Sequence, residues 1–330
     1  MNRSGTKLVL VGVSGFSERW VKVLFGSRKV IPAALVNHRA ERFPELCKRL
    51  GFPESQCFTS LGEALSSCDA EGVVVSVPTR VHYPYVKEAL LAGKHVLVEK
   101  PLAQSLGEGA RLVELAKKKG RLLSVVSQHR FAPYLKTVKR YCSPGGPLGN
   151  PLTFFVRLHM NRPQSYYEAP ARRRGPGVLA IQGAHPLDWI GWLFGEAESC
   201  AAAAGTLYHK TENEDTAYAL FRMKSGVMGL FDINHITRGR DEVIIEVCFE
   251  KGNLRYSSAG GMRVEQGKVE RKIEIRKADP QSECLRQQLE NFADACQGRA
   301  EPEVGAEDGL RVMRLLDALY RSAGRLTPVK

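Results

Sequence analysis

The first 130 residues carry the pattern that most narrows what this chain can fold into. Five short, mostly apolar runs, at 8–13, 33–37, 72–77, 95–98 and 122–127, alternate with amphipathic stretches at 17–25, 41–50, 61–66, 83–92 and 106–119. A strand buried on both faces reads as a continuous apolar run, whereas a strand with one wet face alternates. Strand then helix, repeated, implies a parallel sheet joined by right-handed crossovers, with helices covering it.

The pattern changes after Ser143-Pro-Gly-Gly-Pro-Leu-Gly-Asn-Pro151, a turn-rich junction. Residues 152–160 read as a strand, and 177–194 are apolar at helical spacing. Strand candidates then follow one another at 199–208, 215–223, 227–235, 242–250, 253–256 and 269–275, before helical patterns at 283–297 and 307–322. Strands in succession with few helices between them predict a largely antiparallel sheet. The expected organisation is therefore a nucleotide-binding type of domain over 1–130 and an α+β domain over 131–330, its C-terminal helix packing back toward the first.

A core of this size needs no disulfide staples. The eight cysteines, at 47, 57, 68, 142, 200, 248, 284 and 296, form no CxxC or other tight ligand pair, so reduced and mostly buried thiols are expected. The apolar run near the N-terminus is too short for a signal-peptide core and no small-residue cleavage site follows it. With no stretch long enough to span a bilayer, a cytoplasmic protein without membrane partners is expected. The net charge of +13 favours anionic ligands, but the basic runs 117–119 and 172–174 are short and separate. That pattern argues against nucleic acid, which needs a clustered basic face or a recognisable module.

The first strand-to-helix turn is Gly12-Val13-Ser14-Gly15-Phe16-Ser17. A dinucleotide fingerprint at this place uses glycines for a tight turn and close approach to pyrophosphate, with the helix N-terminus facing the phosphates. Gly12 matches, Gly15 is an extra glycine, and Ser14 and Ser17 stand where the second and third glycines would be. The second strand runs into Asn37-His38-Arg39. An acidic residue there would select a free ribose 2′-hydroxyl, whereas a neutral residue beside two potential cations suits a 2′-phosphate. NADP is expected as cofactor, with NAD the alternative. Val77, Pro78, Thr79 and His82 lie at the end of the third apolar run, and Glu99-Lys100-Pro101 closes the fourth. Ligands bind such sheets at the carboxyl ends of the strands, so these residues and Lys100 are candidates for the site.

With these segments in order, the chain resembles the glucose–fructose oxidoreductase/inositol dehydrogenase family (Gfo/Idh/MocA). Glu99-Lys100-Pro101 resembles its E-K-P motif, Pro78 and His82 its P-x-x-x-H strand end, and Gln128-His129-Arg130-Phe131 its R-[FY] element. Gly175, Gly177, Gly183, His185 and Asp188 resemble its glycine-rich helix, and Phe292, Gly298 and Glu307-Asp308-Gly309-Leu310 fit its C-terminal region. The resemblance implies a Rossmann doubly wound parallel sheet followed by an α+β domain with a large open, mostly antiparallel sheet. It implies a hydride passed between NAD(P) and a sugar, cyclitol or related small-molecule substrate. Lys100 would contact substrate and nicotinamide ribose, His185 would act as general acid/base, Glu99 and Gln128 would line the cofactor site, and Arg130 and Gln182 the substrate site. A cis Lys100–Pro101 peptide is implied as well.

Two residues depart from that helix motif. Its aspartate falls on Ile181, four residues before His185 and so on one face of a continuous helix. Gln182 and Asp188, each three residues from His185, are the polar residues left to orient the ring. General acid–base assistance is worth about 10²–10⁴ in rate, so the loss keeps open a reductive role on C=N or C=C bonds, or a non-catalytic dinucleotide sensor. Pro176 replaces the motif's middle glycine and stiffens the approach to the helix. Arg172-Arg173-Arg174 is either a solvated charge run or, through Arg172, an anion clamp. His129, His159 and His235 read as structural, strand-borne residues, and no metal-ligand spacing is present. The second sheet could pair its open face with another subunit, so a homodimer or homotetramer is expected.

Overall fold

The computed structural model describes residues 5–13, 17–168, 176–275 and 281–324. The chain divides into two compact units, Met1–Phe131 with Asp279–Met313, and Ala132–Ala278 with Arg314–Lys330. In chain order the first stretch comprises β1 (Thr6–Val11), α1 (Glu18–Gly26), β2 (Val30–Val36), α2 (Phe43–Leu50), β3 (Cys57–Phe58), α3 (Leu61–Ser67), β4 (Gly72–Val75), α4 (His82–Leu91), β5 (His95–Val98), α5 (Leu106–Lys119) and β6 (Leu123–Val125). The second comprises α6 (Pro133–Cys142), β7 (Pro151–His159), α7 (Gln164–Glu168), α8 (Val178–Ile181), α9 (Ala184–Phe194) and the strands β8 (Ala197–Gly205), β9 (Thr216–Met223), β10 (Met228–Asn234), β11 (Glu242–Phe249), β12 (Gly252–Ser257), β13 (Gly261–Gln266) and β14 (Val269–Ile273). Two helices, α10 (Gln281–Cys296) and α11 (Ala306–Ala323), follow.

The six parallel strands of the first unit run in the order β3-β2-β1-β4-β5-β6. This is the doubly wound arrangement, with its reversal between β1 and β4. Alternate residues of each strand feed two cores. Val9, Val11, Val73, Val75, Val96 and Val98 face Leu61, Leu90 and Leu112 on one side. Leu8, Leu10, Val74 and Leu97 face Trp20, Leu24, Leu289 and Phe292 on the other. Leu289 and Phe292 belong to α10, which explains why 279–313 falls in the first unit and not with 131–330 as expected. The apolar stripe of α10 completes the layer that α1 begins. Helix boundaries follow local chemistry: the Ser105 hydroxyl accepts from Glu108 N–H to open α5, and Gly120, at φ +59°, closes it.

The second unit holds an eight-stranded sheet in the order β14-β13-β12-β11-β7-β10-β9-β8. Only β7 and β10 pair in parallel, and every other neighbour is antiparallel. One face is apolar and covered: Phe154, Val156, Phe221, Phe231 and Ile233 are buried, and Phe154 stacks on Phe194 of α9 with ring centroids 4.3 Å apart. The other face leaves Tyr218, Leu220, Met228 and Leu230 about half exposed. The expected helix over 177–194 is broken into α8 and α9 at Gln182-Gly183. A Cβ on Gly183 would collide with the Leu179 carbonyl, so only glycine lets the chain fold back this tightly.

All eight cysteines are thiols, but only Cys47, Cys142 and Cys284 are buried, fewer than the mostly buried set expected. Among the described residues no helix is long and apolar enough to cross a membrane. Replacing Phe154 by Ala removes the stacked ring beneath β7 and should cost about 3–5 kcal/mol, measured as a lower urea midpoint with an unchanged slope.

Candidate active site

In the first unit the candidate residues gather at the carboxyl ends of the parallel strands. Gly12 follows β1 at φ +94°, and a Cβ there would collide with the Ser76 carbonyl after β4. The glycine thus allows the β1 and β4 ends to close on one another. Ser17 opens α1 with its hydroxyl turned inward, donating to the Ser76 carbonyl, while the Ser76 hydroxyl donates back over 3.1 Å. Ser14, Gly15 and Phe16 lie outside the described residues.

Asn37 ends β2. Its N–H donates to the Phe58 carbonyl (3.0 Å) and its side-chain oxygen accepts from Arg39 N–H (3.2 Å). Its side-chain nitrogen is buried with no partner among the described residues. A buried donor left unpaired costs about 1–3 kcal/mol, which a ligand acceptor would relieve. His38 and Arg39 are exposed beside it. Val77 and Thr79 are half-buried and Pro78 is exposed, while His82 is buried with Nε2 2.9 Å from the Val77 carbonyl and Nδ1 2.8 Å from the Pro101 carbonyl. Burial pushes this imidazole below its ordinary pKa, against the opposing pull of the two carbonyls. His82 thereby ties together the loops after β4 and β5 instead of offering a nitrogen outward.

Glu99 is buried at the end of β5. One carboxylate oxygen accepts from Arg19 (2.7 Å) and from the Trp20 indole (2.8 Å), and the other from the Lys100 N–H (3.2 Å). Expected at the cofactor, this carboxylate instead anchors α1 to the segment that carries Lys100. Lys100 is half-buried, and its peptide with Pro101 is cis, as the sequence resemblance implied. Beside it, His129 lies on the turn Gln128–Phe131 and not on a strand as expected. Burial, reinforced by the charges of Lys100 and Arg19, lowers its imidazole to about 4. It is therefore neutral at physiological pH. Gln128 is buried, and its side-chain oxygen lacks a partner among the described residues. Arg130, expected to meet substrate, is 1% exposed; its guanidinium donates to the Glu303 carbonyl (3.0 Å) and pairs with Asp308 (3.0 Å). Its place is in the interior, holding the start of α11.

His129 was not a sequence candidate. The available signal was its position just beyond β6, at the same strand edge as Lys100.

In the second unit Gly177 opens α8, where Glu214 caps the helix: its carbonyl accepts from Val178 N–H (2.9 Å) and its carboxylate from Leu179 N–H (3.1 Å) and the Tyr320 hydroxyl (2.8 Å). Burial, then the Glu214 charge, pushes the Tyr320 phenol upward. His185, half-buried, sits in the first turn of α9 with its N–H on the Gln182 carbonyl (3.1 Å), and Asp188 is buried one turn on. Because of the break at Gly183, Ile181 and His185 stand on different helices, so the same-face argument for a continuous helix does not hold. Gln182 is half-buried at the break. Arg172 lies outside the described residues. No group of three or more metal-ligating side chains occurs among the described residues.

Residues 6–127 match the description "Oxidoreductase family, NAD-binding Rossmann fold", and 145–330 match "Oxidoreductase family, C-terminal alpha/beta domain". An uncharacterized oxidoreductase of Schizosaccharomyces pombe is 37% identical over 157 residues, which is 47% of this chain and 42% of that protein. The chain thus spans less than half the length of that curated relative. The 1,5-anhydro-D-fructose reductase of Ensifer adhaerens is 25% identical over 321 residues, covering 94% and 92% of the two chains. The crystal structure of the WlbA dehydrogenase of Bordetella pertussis, in complex with NADH and UDP-GlcNAcA, superposes with a TM-score of 0.83 at 26% identity over 99% of this chain and all of that one (100%).

Acid titration tests the Arg130–Asp308 pair. Burial pushes the Asp308 carboxyl up, but Arg130, the Gly305 N–H and Arg311 outweigh it and hold the group below its ordinary value. A depressed carboxyl contributes stability above its unfolded pKa of about 3.9 and loses it as pH falls through the folded value. The stability gap between the native chain and Asp308→Asn should be wide at pH 7 and narrow only as pH falls below the ordinary carboxyl value of about 3.9, read from urea midpoints across that range.

Proposed function

Since the chain belongs to the Gfo/Idh/MocA oxidoreductase family, we propose that it passes a hydride between NAD(P) and a hydroxyl or carbonyl carbon of a sugar or cyclitol. The observation that carries this reading is the pair of buried, unpartnered amide groups, Asn37 Nδ2 and Gln128 Oε1, at the ligand edge of a parallel sheet whose Gly12 turn leaves no room for a side chain. A donor at one point and an acceptor at another, both already desolvated, suit a ligand that brings complementary groups to each. When bound, the nicotinamide supplies or receives the hydride.

Asn37 holds the adenosine ribose, with His38 and Arg39 supplying positive charge for a 2′-phosphate, so NADP is the preferred cofactor. Val77, Pro78, Thr79 and Ser17 shape the phosphate and ribose floor, and Gln128 orients the nicotinamide end. The Lys100 ammonium binds the substrate oxygen, fixed in place by the Glu99 anchor on its own backbone. His185 moves the proton, and Gln182 contacts substrate. Sugar-related relatives support the substrate class: one is a reductase of 1,5-anhydro-D-fructose, and a structural neighbour holds UDP-GlcNAcA. A second reading, reduction of C=N or C=C bonds, rests on the sequence alone, where Ile181 stands at the place of the aspartate in the family's helix motif.

Titration of the purified chain should give tighter binding of NADPH than NADH, and Asn37→Asp should weaken NADPH selectively. Lys100→Ala should lower kcat about 10²-fold or more with dinucleotide binding retained. Full activity in that variant removes Lys100 from the mechanism. We also propose that the half-exposed apolar face of the second unit's sheet joins copies into a homodimer or homotetramer. Light scattering should give a multiple of the chain mass, and Leu220→Lys with Leu230→Lys should reduce it to one.

A further inference from the structure

Cys47 Sγ on α2 and Cys57 Sγ at the first residue of β3 lie 3.2 Å apart, closer than two sulfurs in ordinary contact. A disulfide is about 2.05 Å long, so closure asks for a movement of roughly 1 Å. The two residues are ten positions apart, joined through the turn at Gly51, so the bond would close a short loop within one supersecondary unit. Cys57 is half-exposed and Cys47 buried, so a reagent in solution meets Cys57 first and the second thiol is already in place behind it.

We propose that Cys47 and Cys57 are a reversible disulfide-forming pair, a redox modification site on the edge of the first unit's sheet. The step is an exchange with a small-molecule disulfide. Cys57 thiolate attacks one sulfur of the reagent and expels a thiolate. Cys47, deprotonated, then attacks the Cys57 sulfur of the mixed disulfide and expels the second. Two protein S–H bonds are replaced by one S–S bond, and the reagent is reduced to two thiols. Burial and then the neighbouring Cys47 push the Cys57 thiol up to about 12, so exchange speeds up as pH rises. The bond would pin α2 to β3, whose Phe58 carbonyl holds the backbone of Asn37. This proposal is independent of the function assigned above.

The test incubates the full chain with oxidised glutathione at mildly alkaline pH, alkylates the remaining thiols and maps the peptides. The expected result is a 47–57 cross-linked peptide, two of the eight thiols lost to alkylation, and full recovery with dithiothreitol. Cys47→Ser should instead trap glutathione on Cys57, and Cys57→Ser should leave its remaining thiols alkylatable. The oxidised native chain should melt no lower than the reduced one. Eight thiols still alkylated, a cross-link between other cysteines in place of 47–57, or a lowered melting midpoint on oxidation overturns the proposal.

Discussion

The buried carboxylate of Glu99 carries the geometry of the first unit's ligand edge. It is held by an arginine and an indole from α1, and it holds the backbone of Lys100. A carboxylate buried without partners would neutralise itself or unfold the segment. Its three donors offset that cost, and the same bonds fix the helix that faces the Gly12 turn against the strand that delivers the lysine. His82 makes the parallel connection on the other side, between the Val77 and Pro101 carbonyls. Lys100 is therefore braced from two directions by groups that need not touch a ligand themselves. Removing either brace would alter the lysine's position without altering its chemistry.

This division of labour explains how much could be read beforehand. The buried strands were legible because their burial on both faces forces continuous apolar runs: β5 and α5 begin and end where the pattern says. The strand β3 is two residues long, too short for any periodicity, and β13 is a charged, glycine-bounded segment that no hydrophobic run marks. The break between α8 and α9 hinges on one glycine in an otherwise apolar stretch, and nothing local tells such a glycine from an ordinary helical one. Site residues split the same way. Gly12, Asn37 and Lys100 can be nominated from their positions at strand ends. The role of Arg130 cannot be, because its partners Glu303 and Asp308 lie more than 170 residues away and meet it only in the folded unit. His129 shows the converse: its neutrality comes from burial beside Lys100 and Arg19, an environment assembled from three separate segments.

The second unit is built on a different economy of surfaces. Its sheet has one face committed to α9 and the aromatic pair Phe154–Phe194, and one face left half-open. On that open face Asp232 accepts from Arg157 (3.0 Å) and sits 2.8 Å from His159 Nε2, so β7 and β10 are cross-linked by charge at one end and by apolar side chains at the other. Burial pushes the Asp232 carboxyl up, but His159 and Arg157 bring it below its ordinary value. The face therefore combines a polar end held by hydrogen bonds with a half-exposed apolar stretch.

The place of α10 has a consequence for how the molecule is made. The first unit's sheet is complete by β6, yet Thr6 and Ser127 still require hydrogen-bond partners from Ala293 and Gln288. A ribosome delivers those partners only after every strand of the second unit has emerged. The nascent first unit must therefore wait with one flank of its sheet bare through most of translation, and β7 waits likewise for β10 and β11 on its two edges. A chain cut between β14 and α10 would therefore lack both the helix that completes the first unit's layer and the part of α11, from Arg314 on, that belongs to the second unit.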